Sequence, residues 1–218
     1  MTENTRLITE LYNDQVAHWP ASGRHILAQY DDETIVVYQA YKPQIGHFAT
    51  KHGHFGANAF SLNRMTWVKP NFLWMMHRCG WASKENQEVV LAIWLERAGF
   101  DAILKKAVLS SYDWDIYESE AAWKRALSAS AVRVQWHPDY SPADGKLERR
   151  AIQIRLGGKA AAHYAQGGWI THIEDITDFV HEQHKNAVHP YTNLILPREH
   201  PYVIEDEATM KNLGMRDT

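Results

Sequence analysis

Aromatic rings and cations lie close together in one short stretch of the sequence, residues 61–81. Arg64 and Lys69 flank Trp67 there, and further aromatic and basic side chains follow. A ring can stack on a planar base, and a guanidinium can form two parallel hydrogen bonds to a phosphate. The stretch therefore suits a planar, anionic ligand such as a nucleotide. The alternative is a buried tryptophan whose two neighbouring cations only face solvent.

A second candidate site is the end of a predicted strand, where Tyr38 and Gln39 stand together. Polar side chains at a strand end can project into a cleft while the sheet holds them rigid. Gln39 carries both a donor and an acceptor, which suits a carboxamide such as nicotinamide or the edge of a base. The alternative is that both side chains only pack.

A charged segment between residues 135 and 153 provides the third set of candidates. Glu148 and Asp139 are candidate acids or bases, and Arg149 and Arg150 are candidate phosphate ligands. Consecutive Glu-Arg-Arg is also typical of a solvated surface. Both interpretations stay open from the sequence.

Thirteen histidines invite a metal site, but their spacing does not favour one. The close groupings are His52 with His54, and His181 with His184 and His189. Neither grouping has the spacing of a known metal motif, so we predict no metal. The glycine-rich dinucleotide motif GxGxxG, the phosphate loop and the nucleophile elbow GxSxG do not occur either.

The composition predicts one folded domain. Of 218 residues, 45% are apolar, which is enough for a core, and the formal net charge of −3 argues against sequence-blind polyanion binding. Cys79 is the only cysteine, so no intramolecular disulfide can form, and we predict that it lies in the core. The N-terminus lacks a signal-peptide pattern, and no apolar run reaches about 18 residues. These features predict a cytoplasmic protein without a membrane partner.

Apolar periodicity and turn residues predict strands and helices that alternate along the chain. The predicted strands are residues 34–38, 65–68, 88–95, 132–136, 151–156, 169–173 and 193–196. The predicted helices are residues 1–20, 43–52, 70–80, 100–108, 118–129, 159–166 and 177–185. Residues 137–146, with two prolines, two aspartates and a glycine, are predicted to be a loop. The pattern predicts a single α+β domain over residues 1–218, with its core in residues 24–200 and a polar C-terminal tail.

Six segments carry a resemblance to a known family: QYDDETIVVYQAY, SLNRMTWVKPNFLWMMHRCGW, QEVVLAIWLERAGF, VRVQWHPD, LERRAIQIRL and ITHIEDITDFV. They resemble the bacterial and fungal family catalogued as domain of unknown function 4291. The resemblance covers residues 24–200, and its tryptophan-lysine-proline block is specific to that family. It implies a single domain and assigns no activity.

The chain is also similar, more distantly, to the ADP-ribosyltransferase-like fold. Enzymes of that fold carry a polar residue on an early strand, a serine or aromatic residue on the next, and a glutamate or glutamine on a later strand. The residues found here in that order are Tyr38 and Gln39, Phe60 and Ser61 with Arg64, and Glu148 or Gln153. Gln153 stands where many of these transferases have glutamate.

This similarity implies an NAD- or nucleotide-dependent transferase. Trp67 and Tyr38 would stack on nicotinamide or adenine, while neighbouring cations would hold the pyrophosphate. Gln153 or Glu148 would orient the attacking group at the ribose carbon. The implied cofactor contacts are Tyr38, Gln39, Arg64, Trp67 and Lys69.

Two other classes of function stay open. A non-catalytic module would bind a nucleotide or single-stranded nucleic acid through exposed tryptophans. A purely structural protein would use its nine tryptophans to pack a core and leave function to a partner. Burial of Trp67, Tyr38 and Arg64 with no cavity nearby would favour the purely structural class.

Overall fold

The computed structural model describes residues 6–56, 60–61 and 65–215. Its helices are α1 (Tyr12–Val16), α2 (Pro43–His52), α3 (Phe72–Cys79), α4 (Arg97–Lys105), α5 (Glu120–Ala129), α6 (Gly158–Ala165), α7 (Thr177–Asn186) and α8 (Glu207–Asn212). Its strands are β1 (Thr9–Leu11), β2 (Gly23–Arg24), β3 (Leu27–Ala28), β4 (Thr34–Tyr41), β5 (Thr66–Val68), β6 (Val89–Glu96), β7 (Ala107–Leu109), β8 (Val132–Tyr140), β9 (Lys146–Leu156), β10 (Ile170–Asp175), β11 (Ile195–Pro197) and β12 (His200–Pro201). Helices interleave with mixed sheets, which confirms the predicted α+β class.

The first sheet is antiparallel, has the strand order β10-β6-β4, and is covered on both faces. One face packs with the second sheet in a first core, and the other packs against α3 and α7 in a second core. A strand covered on both sides must be apolar at successive positions, which is why β6 has no alternation. Cys79 is fully buried in the second core, as predicted.

The second sheet has the strand order β2-β9-β8-β7, and β5 pairs with the C-terminal part of β9. Along its strands Val134, Ile152 and Ile154 point into the first core, so the residues between them point to the opposite face. That opposite face is polar. The alternation therefore places polar side chains on one surface of this sheet.

A backbone bridge joins the two sheets. Tyr38 N donates to Lys69 O at 2.7 Å, and Lys69 N donates to Tyr38 O at 3.3 Å. Since Lys69 directly follows β5, it lies at the junction of the two sheets. Tyr38 therefore pairs with both the backbone N–H and the backbone carbonyl of this lysine.

The ends of α2 and α3 follow the sequence. Pro43 begins α2, and Gly53 ends it with a left-handed φ of 71°. α3 ends at Gly80, which also has a positive φ, of 59°. It begins two residues after Pro70, because the Asn71 side chain caps it by accepting a hydrogen bond from Trp74 N at 2.6 Å.

The predicted N-terminal helix over residues 1–20 is wrong where the structure describes it. β1 pairs with β11, Thr9 lying opposite Pro197, and only the five residues of α1 are helical. Leu7 and Tyr12 are buried in the second core, whereas Ile8 is 48% exposed. The apolar periodicity here is short, and a helix of this length is not stable by itself, so backbone pairing with a distant strand determines the structure.

The predicted loop over residues 137–146 is also wrong. β8 runs to Tyr140 and β9 starts at Lys146, so only a tight turn separates them, closed by a bond from Ser141 N to Gly145 O at 2.8 Å. Asp139 is 1% exposed and paired with Arg149, which removes the solvent preference that suggested a loop. Composition marked the turn and overestimated its length.

Gly99 lies inside α4, which begins at Arg97, whereas the sequence predicted a helix over residues 100–108. A Cβ at this position would lie 2.4 Å from Cδ1 of Trp169, so the indole needs the space that only glycine leaves. The helix ends at Lys105, and β7 follows because its backbone pairs in parallel with β8. Tertiary contacts decided both boundaries.

Replacing Gly99 with alanine is expected to lower the free energy of unfolding by about 1–2 kcal/mol, because overpacking outweighs the better helix propensity of alanine. Urea denaturation measures the change. In a Trp169→Ala background the same replacement should no longer destabilise. An equal loss in both backgrounds would contradict the proposed clash.

Candidate functional site

Seven side chains share the polar face of the second sheet, which we call the basic face: Trp67, Lys69, Arg133, Gln135, His137, Gln153 and Arg155. The strand register sets five of them in two rows, Trp67, Arg155 and Arg133 in the first and Gln153 and Gln135 in the second. The paired register of β5 ends at Val68, and its extension by one residue assigns Lys69 to the second row. The sheet therefore fixes the spacing of these groups.

Two arginines on the basic face lie opposite each other. Arg133 and Arg155 are direct cross-strand partners and are half-buried, an arrangement of like charges that destabilises a sheet. Neither forms an ion pair with any residue in the described part of the chain. Arg133 Nη2 donates to Leu127 O at 3.2 Å, while Arg155 Nε is buried without a described hydrogen-bond partner. Burial and the charge of Arg133 lower the pKa of Arg155.

Lys69 is a buried cation in the second row, 6% exposed. Burial, reinforced by Arg78 and opposed by Cys79, lowers the pKa of Lys69 to about 8. Within the described ranges its Nζ has neither a hydrogen-bond acceptor nor a carboxylate partner. A buried lysine without a counter-ion is costly, and such groups are concentrated at functional sites.

An amide pair and an imidazole lie beside this lysine. Gln153 Nε2 donates to Gln135 Oε1 at 2.6 Å and lies 3.1 Å from His137 Nε2. Burial, followed by Lys69, lowers the pKa of His137, which favours the neutral ring that accepts the second amide hydrogen. The structure gives Gln153 Oε1 no partner among the residues it describes, so this oxygen can accept a hydrogen bond from a ligand.

Four nearly parallel rings close one end of the basic face, and we call them the ring stack: Trp74, His77, His137 and Tyr140. The ring centroids of Trp74 and His137 are 4.8 Å apart at 22°, and His77 lies over Tyr140 at 3.4 Å. His77 also contacts the carboxylate of Asp144 in the hairpin turn. Trp74 Nε1 is buried with no acceptor in the described structure.

The C-terminal segment positions α3, which supplies two of these rings. The buried carboxylate of Glu199 accepts hydrogen bonds from Phe72 N at 2.6 Å and from Asn71 Nδ2 at 3.2 Å. A carboxyl group at a helix N-terminus is electrostatically favourable, although burial raises the pKa of Glu199 well above its ordinary range. Glu199 thereby holds the start of α3 against the sheet.

Three of the predicted site residues are brought together. Trp67, Lys69 and Gln153 lie on the basic face, with Trp67 half-buried. Their roles as ligand contacts stay predictions. Arg64 lies outside the described residues.

Tyr38 and Gln39 do not join them. Tyr38 is fully buried in the second core, edge-on to Phe72. Gln39 points to the other side of β4, where its amide donates to Trp67 O at 2.7 Å and accepts from Tyr164 Oη at 2.7 Å. The backbone bridge from Tyr38 to Lys69 and the amide bond from Gln39 to Trp67 O occupy the strand end that the sequence suggested as a cleft.

Glu148 lies apart from the basic face. It is exposed, five residues from Gln153 along β9, which corresponds to about 16 Å of extended strand. The two predicted catalytic residues therefore do not converge on one point. Gln153 alone is placed beside the other candidate ligand groups.

Two residues of the basic face, Arg133 and Arg155, were not among the candidates predicted from the sequence, whereas Gln135 and His137 lie in the third candidate segment. A signal for them exists, because VRVQWH and AIQIRL both place polar residues at every second position. The pairing of those two segments into one hairpin is what turns the alternation into a surface. In the structure a tight turn between Tyr140 and Lys146 forms this hairpin, whereas the sequence predicted a loop over residues 137–146.

Two further features concern the residues that the structure describes. They contain no group of three or more histidine, cysteine, aspartate or glutamate side chains arranged to hold a metal ion. None of their helices is both long and apolar enough to cross a membrane.

The fold and the site define an α+β protein whose second sheet carries three cations, Lys69, Arg133 and Arg155, that form no ion pair with any described residue. The chain belongs to the family described as Domain of unknown function (DUF4291), whose model matches residues 25–202. This confirms the family resemblance seen in the sequence. None of the curated proteins compared with the chain matches it.

Proposed function

We propose that the basic face binds a nucleotide through its phosphate groups. The observation that carries the proposal is the pair Arg133 and Arg155, two half-buried arginines at directly opposite strand positions that form no ion pair with any described carboxylate. A phosphate bridging them would offset their repulsion and provide an acceptor for Arg155 Nε. Lys69, in the neighbouring row, adds a third positive charge.

The remaining groups of the face suit the base and the sugar. Trp67 is half-buried beside Arg155, so part of its indole is available for stacking. Gln153 Oε1 can accept a hydrogen bond from a ribose hydroxyl, while Gln135 holds the Gln153 amide in place. Together these features favour a ribonucleotide over inorganic phosphate.

NAD is the nucleotide that the distant transferase similarity implies, and the donor set fits its pyrophosphate. Bound NAD would supply a ribose carbon that is activated by its nicotinamide leaving group. Transfer of ADP-ribose is the finer proposal, with Gln153 orienting the acceptor. The basic face carries no carboxylate among its described residues, so binding is the better-supported part of the proposal.

Isothermal titration tests the binding step with NAD, ADP-ribose and AMP at up to millimolar concentration. We expect heat from NAD and ADP-ribose, and we expect Arg155→Gln to weaken both by about 10- to 100-fold, because a hydrogen bond to a charged group contributes about 1.5–3 kcal/mol. Arg125→Gln, which removes an exposed arginine from α5, is the matched control and should bind normally. No heat with any of the three ligands would refute the proposal.

The alternative is a module for single-stranded nucleic acid. Stacked bases would contribute about 1–3 kcal/mol each, and binding would weaken steeply with salt. An oligothymidylate that binds more tightly than NAD, and that Arg155→Gln releases, would favour this alternative. Release of nicotinamide from NAD, lost in Gln153→Ala, would favour the transferase.

A further inference from the structure

A cavity separate from the basic face lies between α4, α5 and α6. It has a volume of about 580 Å³, within the range of about 300–1,000 Å³ that is typical of small-molecule sites. Its walls are mainly apolar and small, with Ala102, Ala126 and Ala160 contributing from three different helices. Trp169, whose indole packs against Gly99, forms another part of the wall.

All of the ionisable groups that line this cavity are basic or potentially basic. They are Lys106, Lys159 and His163, and the described lining contains no aspartate or glutamate. None of the three forms an ion pair with another described residue. An occupant that combines an apolar body with a negative charge would match both the walls and the rim.

α5 provides an independent indication that the cavity is incompletely filled. None of the ten residues of this helix is fully buried, which is unusual for a helix that has an apolar side. Trp123 anchors it by donating from Nε1 to Leu109 O at 2.8 Å, but Ala126 and Leu127 remain only half-buried. A ligand in the cavity would supply the missing apolar contact.

We propose that the cavity between α4, α5 and α6 binds an amphiphilic anion, a carboxylate with a medium-length alkyl chain. The alkyl chain would lie against the alanines and Trp169, and the carboxylate would face Lys106, Lys159 and His163. This site is distinct from the basic face and does not depend on the nucleotide proposal.

Isothermal titration with octanoate, hexanoate and octylamine tests the site on the full chain. We expect octanoate to bind, hexanoate to bind roughly tenfold more weakly because two methylene groups are lost, and octylamine not to bind. The double variant Lys106→Gln with Lys159→Gln should lose most of the octanoate affinity. Lys105→Gln, one residue away and outside the lining, should retain it.

A filling variant provides a second test that does not depend on charge. Ala160→Phe should block octanoate, whereas Ala121→Phe, on the exposed side of α5, should not. Circular dichroism and thermal unfolding confirm that each variant is folded before it is titrated. Absence of octanoate binding to the unmodified protein, equal binding of octylamine, or full affinity in a folded Ala160→Phe variant would each overturn the proposal.

Discussion

Replacing Lys69 with methionine should raise the free energy of unfolding at pH 7 by about 3 kcal/mol. Burial lowers the pKa of Lys69 from 10.5 to about 8, and a shift of one unit corresponds to about 1.4 kcal/mol. At pH 7 the lysine is protonated in both states, so the folded protein bears the whole cost of burying the charge. Methionine has a similar length and no charge to bury.

Urea denaturation measures the gain in the free energy of unfolding. The control Lys51→Met, at an exposed lysine of α2, should change it by no more than about 0.5 kcal/mol.

The pH profile of stability provides the second readout for Lys69. Between about pH 8 and 10.5 the unfolded lysine keeps a proton that the folded one has lost, so its contribution makes stability rise with pH. Lys69→Met should lack this rise. A variant that is less stable than the unmodified protein at pH 7 would show that the amine has a stabilising partner.

A lysine that destabilises its own fold is consistent with a functional role. If Lys69 contacts ligand phosphate, the stabilised methionine variant should bind NAD less tightly. Higher stability combined with lower affinity is a pattern that a merely structural residue would not produce. Unchanged affinity would remove Lys69 from the proposed site while leaving the two arginines in it.

Replacing Arg149 with methionine should lower the free energy of unfolding by about 3–5 kcal/mol, the usual cost of removing one partner of a buried ion pair. Arg149 Nε and Nη2 lie 2.8 and 2.7 Å from Asp139 Oδ2, and both residues are at most 4% exposed. Burial raises the pKa of Asp139 despite the opposing charge of Arg149. Without the arginine, the carboxyl must either stay charged in an apolar site or take up a proton.

The same arginine ties the N-terminal segment to the hairpin. Its Nη1 donates to Pro20 O at 2.8 Å, and its guanidinium lies 5.1 Å from the ring centre of Trp19. Amide hydrogen exchange around residues 15–20 should therefore accelerate in Arg149→Met. Arg150→Met, at the next and exposed position, is the matched control and should stay within about 0.5 kcal/mol of the unmodified protein.

A partner replacement distinguishes a lost ion pair from lost packing. Replacing Asp139 with leucine in the Arg149→Met variant removes the orphaned carboxyl, so part of the stability should return. If the loss of unfolding free energy in the double variant equals the sum of the losses in Arg149→Met alone and Asp139→Leu alone, packing around Trp19 rather than the charge pair dominates.

The sequence by itself determined the elements whose signals are local. Pro43 and Gly53 marked both ends of α2, and the apolar run of β6 showed that this strand is covered on both faces. The sequence also predicted Trp67 in a strand and Lys69 directly after it, because the β propensity of these residues and the following Pro70 are local signals. Such features follow from backbone sterics and from the periodicity of side chains.

Only the tertiary structure decided which side chains share a surface. Tyr38 and Lys69 are direct partners in an antiparallel backbone bridge, so their side chains lie on the same side of the sheet although the two residues are 31 positions apart in the sequence, and Tyr38 is enclosed in the second core. Arg133 and Arg155 form a site because the chain folds back at a turn that composition made look like a loop. Strand pairing joins residues that are distant in sequence, and its register depends on the packing of the opposite, apolar face against a core that no single segment contains.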